Sequence, residues 1–84
     1  MAREYVSLLR LHVQAEADPG ALLRVLERFQ SLNILPCRVS AEIAASETMS
    51  IEVDVAGVSE SIVSLITAKI GQVPCILEAY WRRP

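Results

Sequence analysis

The chain has 84 residues, of which 52% are hydrophobic, with a formal net charge of −2 and a mean hydropathy of +0.36. This length predicts one domain over residues 1–84 with a thin core, and the high apolar content indicates that association covers part of its surface. The scattered basic residues exclude the charge pattern of a nucleic-acid binder, and no apolar run resembles a signal peptide or membrane span, so we expect a cytoplasmic protein.

The first predicted strand runs from Tyr5 to Ala17, where apolar and polar residues alternate. The first predicted helix follows from Pro19 to Leu32, because its apolar residues fall on one helical stripe. Asn33 suits the left-handed turn that ends such a helix.

The junction between this strand and this helix is Asp18-Pro19-Gly20. Asp18 can cap free helix amides, Pro19 suits the first helical position because it has no N–H, and Gly20 allows close approach to the backbone. Unpaired amides and the positive end of the helix dipole predict a seat for the carboxylate of an amino acid. The alternative is that these residues only turn the chain.

The second predicted strand covers Leu35 to Ile43, and Pro36 suits an edge strand because it lacks a ladder N–H. A short connection over residues 44–48 leads to a third strand whose alternation spans Met49 to Val55, which predicts a hairpin. Gly57 marks the exit from that strand.

Ser59 can cap a second helix that Gly71 closes. The apolar stripe of this helix consists of Ile62, Val63, Leu65, Ile66 and Ile70. The last strand directs Val73, Cys75, Leu77 and Ala79 inward and leaves residues 80–84 as a short tail.

The predicted element order is therefore βαββαβ. Right-handed crossovers give an α+β, ferredoxin-like plait, with a four-stranded antiparallel sheet of order 4-1-3-2 and both helices on one face. The helix-free face is predicted to be a wet, mixed-charge surface made of Arg10, His12, Gln14, Arg38, Ser40, Glu52, Asp54 and Glu78. Association is expected to use an edge strand or the helices. Cys37 and Cys75 fall on opposite edge strands, about 14 Å apart, which predicts two reduced thiols.

Side chains for catalysis or metal binding are sparse in this sequence. It has no CxxC pair and no Cys/His cluster, so we predict no metal site and no cofactor. His12 is the only histidine, and Ser7, Ser40 and Ser50 suggest no set of nucleophile, base and orienting group, so no catalytic residue is predicted. An enzymatic alternative, a small hydrolase or isomerase on this plait, requires a cluster of such groups.

The sequence resembles the ACT domain family, which comprises regulatory modules of amino-acid metabolism. The resemblance rests on the first strand, Asp18-Pro19-Gly20, Leu22, Arg24-Val25, Phe29 and Asn33-Ile34, and it covers essentially the whole chain. Within this family the chain is most similar to the short regulatory subunits of acetolactate synthase, which consist of little more than one such domain.

The resemblance implies a non-catalytic regulatory subunit of branched-chain amino acid biosynthesis that forms a homodimer and docks on the acetolactate synthase catalytic subunit. It also implies an amino-acid effector, such as a branched-chain amino acid, held where the loop before the first helix meets a neighbouring copy. The matching positions are Asp18, Pro19, Gly20, Ala21 and Leu22. The family more often has asparagine where Asp18 stands, which leaves the effector open because an ionised aspartate only accepts hydrogen bonds. The alternative is a free-standing, amino-acid-binding ACT homodimer that regulates another enzyme.

Overall fold

The structure is a computed structural model that describes residues 7–44 and 46–84. The elements are β1 (Leu8–Glu16), α1 (Ala21–Gln30), β2 (Arg38–Ile43), β3 (Thr48–Ala56), α2 (Glu60–Gly71) and β4 (Ile76–Arg82). The strands form one antiparallel sheet in the order β2-β3-β1-β4, which is the predicted order counted from the other edge. The predicted ferredoxin-like plait is therefore confirmed, while the predicted start of the first strand at Tyr5 lies outside the described residues.

The core lies between the sheet and the two helices. Alternate residues of β1 and β3 point to the same face because side chains on a strand have a period of two. These residues form a single buried cluster with three residues from each helix. The strand and helix members are Leu9, Leu11, Val13, Ala15, Met49, Ile51, Val53 and Val55, with Ala21, Val25 and Phe29 of α1 and Val63, Ile66 and Ile70 of α2. Both helices therefore pack on one face of the sheet, as predicted.

The end of α1 has the predicted left-handed turn. Asn33 has a φ of 57°, and its N–H donates to the carbonyl of Gln30 at 2.9 Å. The N–H of Ile34 donates to the carbonyl of Phe29 at 2.9 Å, which completes a Schellman motif. These two bonds satisfy carbonyls that the end of the helix would otherwise leave unpaired.

The helix α2 begins as predicted, but its apolar stripe is narrower than the sequence indicated. The hydroxyl of Ser59 caps the helix by accepting the N–H of Ile62 at 3.3 Å, and Gly57 leaves β3 with a φ of 70°. The prediction that Leu65 belongs to the core-facing stripe is wrong, because its side chain lies at the margin of the stripe and is exposed. The helix ends at Gly71 as predicted, with Gln72 as its C-cap.

The last strand, β4, begins at Ile76 and not at Val73, and it differs from the prediction in two further ways. Its register with β1 shifts, so Gln14 lies opposite Glu78 whereas Ala15 lies opposite Ile76. The intervening Leu77 is displaced from the alternation and is 56% exposed, while Ile76 is buried in its place. The prediction that residues 80–84 form a tail is also wrong for residues 80–82, because the strand continues to Arg82.

The second strand, β2, is shorter than predicted. Regular pairing with β3 starts at Arg38, so the predicted start of this strand at Leu35 is wrong. One residue earlier, the N–H of Cys37 donates to the carbonyl of Asp54 at 2.8 Å. Pro36 lacks the N–H that an earlier ladder bond would need. Cys37 and Cys75 precede opposite edge strands, and both are free thiols.

Candidate functional site

The loop between β1 and α1 has a different cap from the predicted one. The helix begins at Ala21 with Gly20 as its N-cap, and no side chain caps it. Asp18 instead binds the loop itself, since its Oδ1 accepts the N–H of Gly20 at 2.7 Å and its carbonyl accepts the N–H of Ala21 at 2.9 Å. The predicted helix start at Pro19 and the predicted helix cap by Asp18 are therefore wrong, because the side chain closes a local turn two residues earlier.

The five predicted binding residues lie together in the chain but differ in exposure. Asp18 and Pro19 are exposed, Gly20 and Leu22 are half-buried, and Ala21 is fully buried. The side chain of Ala21 is therefore inaccessible to a ligand, and the side chain of Leu22 packs partly against the core. Asp18, Pro19 and Gly20 form the accessible part of the loop.

Gly20 opens onto a groove of about 730 Å³. The groove lies between the outer side of α1 and the connection from α2 to β4, and it is lined by Gly20, Leu23, Arg24, Glu27, Arg28, Gln72, Val73 and Pro74. A Cβ atom added at Gly20 would lie 3.4 Å from Oδ1 of Asp18 and 3.9 Å from Nε of Arg24. A carboxylate and a guanidinium therefore both lie close to this glycine.

Arg24 is the groove residue that the sequence analysis did not select. Its position four residues after Gly20 places it on the same side of α1, one helical turn above the loop. That spacing was visible in the sequence and would have indicated a cation beside the glycine. A planar guanidinium at this point can bind a carboxylate with two parallel hydrogen bonds.

A second groove, of about 440 Å³, lies on the opposite side of α1 next to β2. It is lined by Leu26, Gln30, Asn33, Ile34, Leu35, Pro36 and Val39. The lining is mostly apolar, so this groove is suited to hydrophobic side chains and not to a charged metabolite.

The helix-free face of the sheet contains a buried charged residue, Asp54, which the sequence had predicted to be exposed to solvent. Asp54 is only 3% exposed, because Arg10 lies directly opposite on β1 and covers it. Nε and Nη2 of Arg10 donate to the two carboxylate oxygens of Asp54 at 2.7 and 3.0 Å. These hydrogen bonds lower the pKa of Asp54 below its ordinary value, despite the opposing effect of burial, and they raise the pKa of Arg10. The expected fully wet surface is therefore wrong at Asp54.

His12 lies on the same face, stacked on the ring of Tyr80 with 4.9 Å between the ring centroids. Its Nδ1 lies 3.4 Å from a carboxylate oxygen of Glu52, and its Nε2 is buried without a hydrogen-bond partner. Neither nitrogen contacts a hydroxyl or a thiol, so this histidine has no nucleophile to activate among residues 7–44 and 46–84.

The described residues contain no group of three histidine, cysteine, aspartate or glutamate side chains that could hold a metal ion. None of the helices in this part of the chain is long and apolar enough to cross a membrane.

The described elements form a small α+β plait of the ferredoxin-like kind. The chain belongs to the ACT-like domain family, whose sequence profile matches residues 2–83. ACT domains are regulatory and non-catalytic, and membership indicates a regulatory, amino-acid-binding role. A search of curated proteins found no significant match.

Solved structures with the same fold have low sequence identity to this chain. The C-terminal domain of the MgtC protein from Mycobacterium tuberculosis has a TM-score of 0.79 at 12% identity, over 100% of this chain and 94% of that one. The ACT domain of GTP pyrophosphokinase from Chlorobium tepidum has a TM-score of 0.76 at 8% identity, over 92% and 99%. A homoserine dehydrogenase from Thiobacillus denitrificans has a TM-score of 0.74 at 19% identity, over 93% of this chain and 17% of that chain. At these identities the likeness concerns the fold.

Proposed function

We propose that this chain is a non-catalytic regulatory domain that binds an amino acid at the loop between β1 and α1. The observation that carries this proposal is the pair of opposite charges beside Gly20, the carboxylate of Asp18 and the guanidinium of Arg24. An amino acid is a zwitterion, so its ammonium matches Asp18 and its carboxylate matches Arg24. Family membership supports the same class of ligand.

This assignment differs in detail from a carboxylate held by helix amides. Asp18 already accepts the N–H of Gly20 and the N–H of Ala21, so these two donors are occupied. An anion placed there would also meet the negative charge of Asp18. The ionised carboxylate of Asp18 retains acceptor capacity for an ammonium, because its two oxygens offer about four lone-pair positions. The ligand carboxylate is therefore directed to Arg24.

The finer proposal is that the chain is a homodimeric regulatory subunit of acetolactate synthase that senses a branched-chain amino acid. Its support is the resemblance of the whole chain to short subunits of that enzyme and the apolar surface that it leaves exposed. A cytoplasmic location forms part of this proposal. In this case the chain gains stability on mixing with the catalytic subunit, because a partner that binds only the folded state stabilises it.

The second candidate is a free-standing ACT homodimer that regulates another enzyme. Its support is that the two charges beside Gly20 both belong to one chain, so ligand binding needs no catalytic subunit. The two candidates differ in a thermal unfolding experiment. An acetolactate synthase catalytic subunit raises the melting temperature only under the first, whereas an amino acid raises it under both.

Isothermal titration with valine, leucine and isoleucine tests the binding site. Gly20→Val places a branched side chain between Asp18 and Arg24, and it is expected to weaken binding at least about tenfold, or about 1.4 kcal/mol. Gly71→Val is the matched control, because a Cβ there has no atom within 4 Å, and it should leave the affinity unchanged. Equal affinities of both variants and the unaltered chain would place the ligand elsewhere. A flat titration with all three amino acids would remove the branched-chain proposal.

A further inference from the structure

The helix-free face of the sheet carries its charges in rows, because residues that pair across neighbouring strands lie side by side on one face. One row contains three arginines and one aspartate and has a net charge of +2. This positive row consists of Arg38, Asp54, Arg10 and Arg82. A second row, four residues further along β1, contains two glutamates and no cation. This negative row consists of Glu42, Ser50, Gln14 and Glu78. The two ends of the face are therefore oppositely charged.

A middle row separates these two rows. It consists of Ser40, Glu52, His12 and Tyr80. The ring of Tyr80 is stacked on His12, and this tyrosine is 43% exposed. An exposed aromatic ring thus lies halfway between the positive and the negative end of the face, and none of the described helices covers it.

The charges at the four corners of this face are exposed. These corner residues are Arg38 and Glu42 on β2 and Arg82 and Glu78 on β4. Arg82 lies directly opposite Arg10, and like charges in this position destabilise a sheet. Asp54 compensates Arg10 with two hydrogen bonds, but Arg82, Glu42 and Glu78 have no ion pair within residues 7–44 and 46–84. Partners for these charges must come from outside this part of the chain.

We infer that this face stacks against the same face of a second copy of this chain, about a two-fold axis that runs along the middle row. The axis reverses the strand direction, so the positive row of each copy lies over the negative row of the other. Arg82 then lies over Glu78 of the second copy, Arg38 lies over Glu42 of the second copy, and symmetry repeats both pairs. This inference goes beyond the proposed function, because it uses neither the amino acid nor the loop between β1 and α1.

The charges select this orientation over the others that stacked sheets adopt. Stacked sheets align within about 30° or cross near 90°. Alignment about an axis parallel to the strands places Arg38 over Arg82 and Glu42 over Glu78, so every corner contact is repulsive. A perpendicular crossing about a diagonal of the face gives two attractive and two repulsive corner contacts. Only the axis along the middle row makes all four corner contacts attractive.

The spacing of stacked sheets suits the corner side chains. Sheets pack about 10 Å apart, a distance that an arginine and a glutamate can span together. Arg38 can reach across because its side chain is half exposed and lies only 3.3 Å from Glu52 and 3.7 Å from Asp54. In the middle row, Tyr80 meets the ring of Tyr80 of the second copy. Glu52 meets its own counterpart there, and Arg38 compensates its charge within each chain.

Sedimentation velocity over a dilution series measures this step, whose product has twice the mass of the associating species. Raising the salt from about 0.05 to about 0.5 M should raise the dissociation constant at least about tenfold, because salt screens the corner ion pairs. Arg82→Glu and Glu78→Arg each create two like-charge contacts, and each should raise the dissociation constant at least about tenfold. In an equimolar mixture, R82E lies over E78R and both contacts become attractive. The dissociation constant of the mixture should therefore return to within about threefold of the unaltered chain.

Arg82→Glu also separates association from folding. Within one chain it places a carboxylate opposite Arg10, so the free energy of unfolding should stay unchanged or rise while association weakens. Lys69→Glu is the matched control, because it makes the same change of charge on α2, on the other side of the sheet. It should leave the dissociation constant unchanged.

Gln14→Lys distinguishes stacking of faces from pairing of edge strands. Gln14 belongs to the inner strand β1 and lies over Arg10 of the second copy in the stacked arrangement. The added lysine should raise the dissociation constant at least about threefold, whereas pairing through an edge strand brings no cation near it. An unaltered chain without a salt-sensitive association step, or R82E and Q14K variants that associate like the unaltered chain, would overturn the inference. A mixture of R82E and E78R that stays dissociated would overturn the two-fold arrangement. Amino-acid binding beside Gly20 is measured separately by calorimetry and does not depend on these outcomes.

Discussion

At the scale of single residues, the ion pair of Arg10 and Asp54 shows what the sequence could not reveal. The alternation of β1 and β3 correctly placed both side chains on the helix-free face. It could not show that they lie directly opposite each other, because β1 and β3 are joined through α1 and β2 and no turn fixes their register. Once opposite, the two charges form a bidentate pair that allows Asp54 to be buried.

Asp54→Asn tests this pair through the pH dependence of stability. The folded-state pKa of Asp54 is lowered from its ordinary value of 3.8, so the stabilisation is complete above that value and is lost as the pH falls through the lower folded-state pKa. The variant is expected to lose about 1.5–3 kcal/mol at pH 7, and its free energy of unfolding should fall less on acidification. Urea unfolding at pH 7 and pH 3 measures both effects. Parallel pH profiles for the variant and the unaltered chain would contradict the role of the ion pair, and Glu78→Gln provides an exposed control.

At the scale of elements, the predictions were best where periodicity alone decides the structure. The strands β1 and β3 and the cap of α2 at Ser59 follow from residue type and spacing. The strand β4 shows the limit, since its alternation indicated an inward Leu77. The register shift opposite Gln14 and Ala15 displaces this residue, and a bulge depends on the partner strand as well as on the local sequence.

Alanine substitutions at two adjacent residues of β4 test the bulge. Ile76→Ala should cost about 2–5 kcal/mol of unfolding free energy because it leaves a cavity in the core. Leu77→Ala should change the stability by less than about 0.5 kcal/mol because the side chain is exposed. Chemical denaturation with a fluorescence readout from Trp81 distinguishes them, since this tryptophan donates a hydrogen bond to Ser64 of α2 in the folded state. The reverse order of the two losses would show that β4 has regular alternation.

At the scale of the whole molecule, element order and hydrophobic alternation predicted the plait and its sheet order. The sequence also indicated association, through an apolar content higher than a domain of this size can bury. It could not show which surface stays uncovered, because that depends on how far the helices reach across the sheet. In the described part of the chain, the exposed large apolar side chains are spread over both helices, both edge strands and the segment that precedes β2.

The candidate site stays a prediction. The sequence directed attention to the loop and to Gly20, and it suggested that helix amides bind the ligand carboxylate. The amides of Gly20 and Ala21 are occupied by Asp18, and the cation next to Gly20 is Arg24. Local geometry of this kind depends on the actual turn that a loop adopts.

The central claim is that an amino acid binds between Asp18 and Arg24, and its most direct test is nuclear magnetic resonance of the ¹⁵N-labelled chain. Titration with each of the twenty amino acids should identify at least one that shifts the amide signals of Asp18, Gly20 and Leu22 together with the Nε signal of Arg24. The corresponding 2-oxo acid, which lacks the ammonium, should shift these signals only at higher concentration. Spectra unchanged by all twenty amino acids at saturating concentration, or shifts confined to residues remote from this loop, would contradict the account.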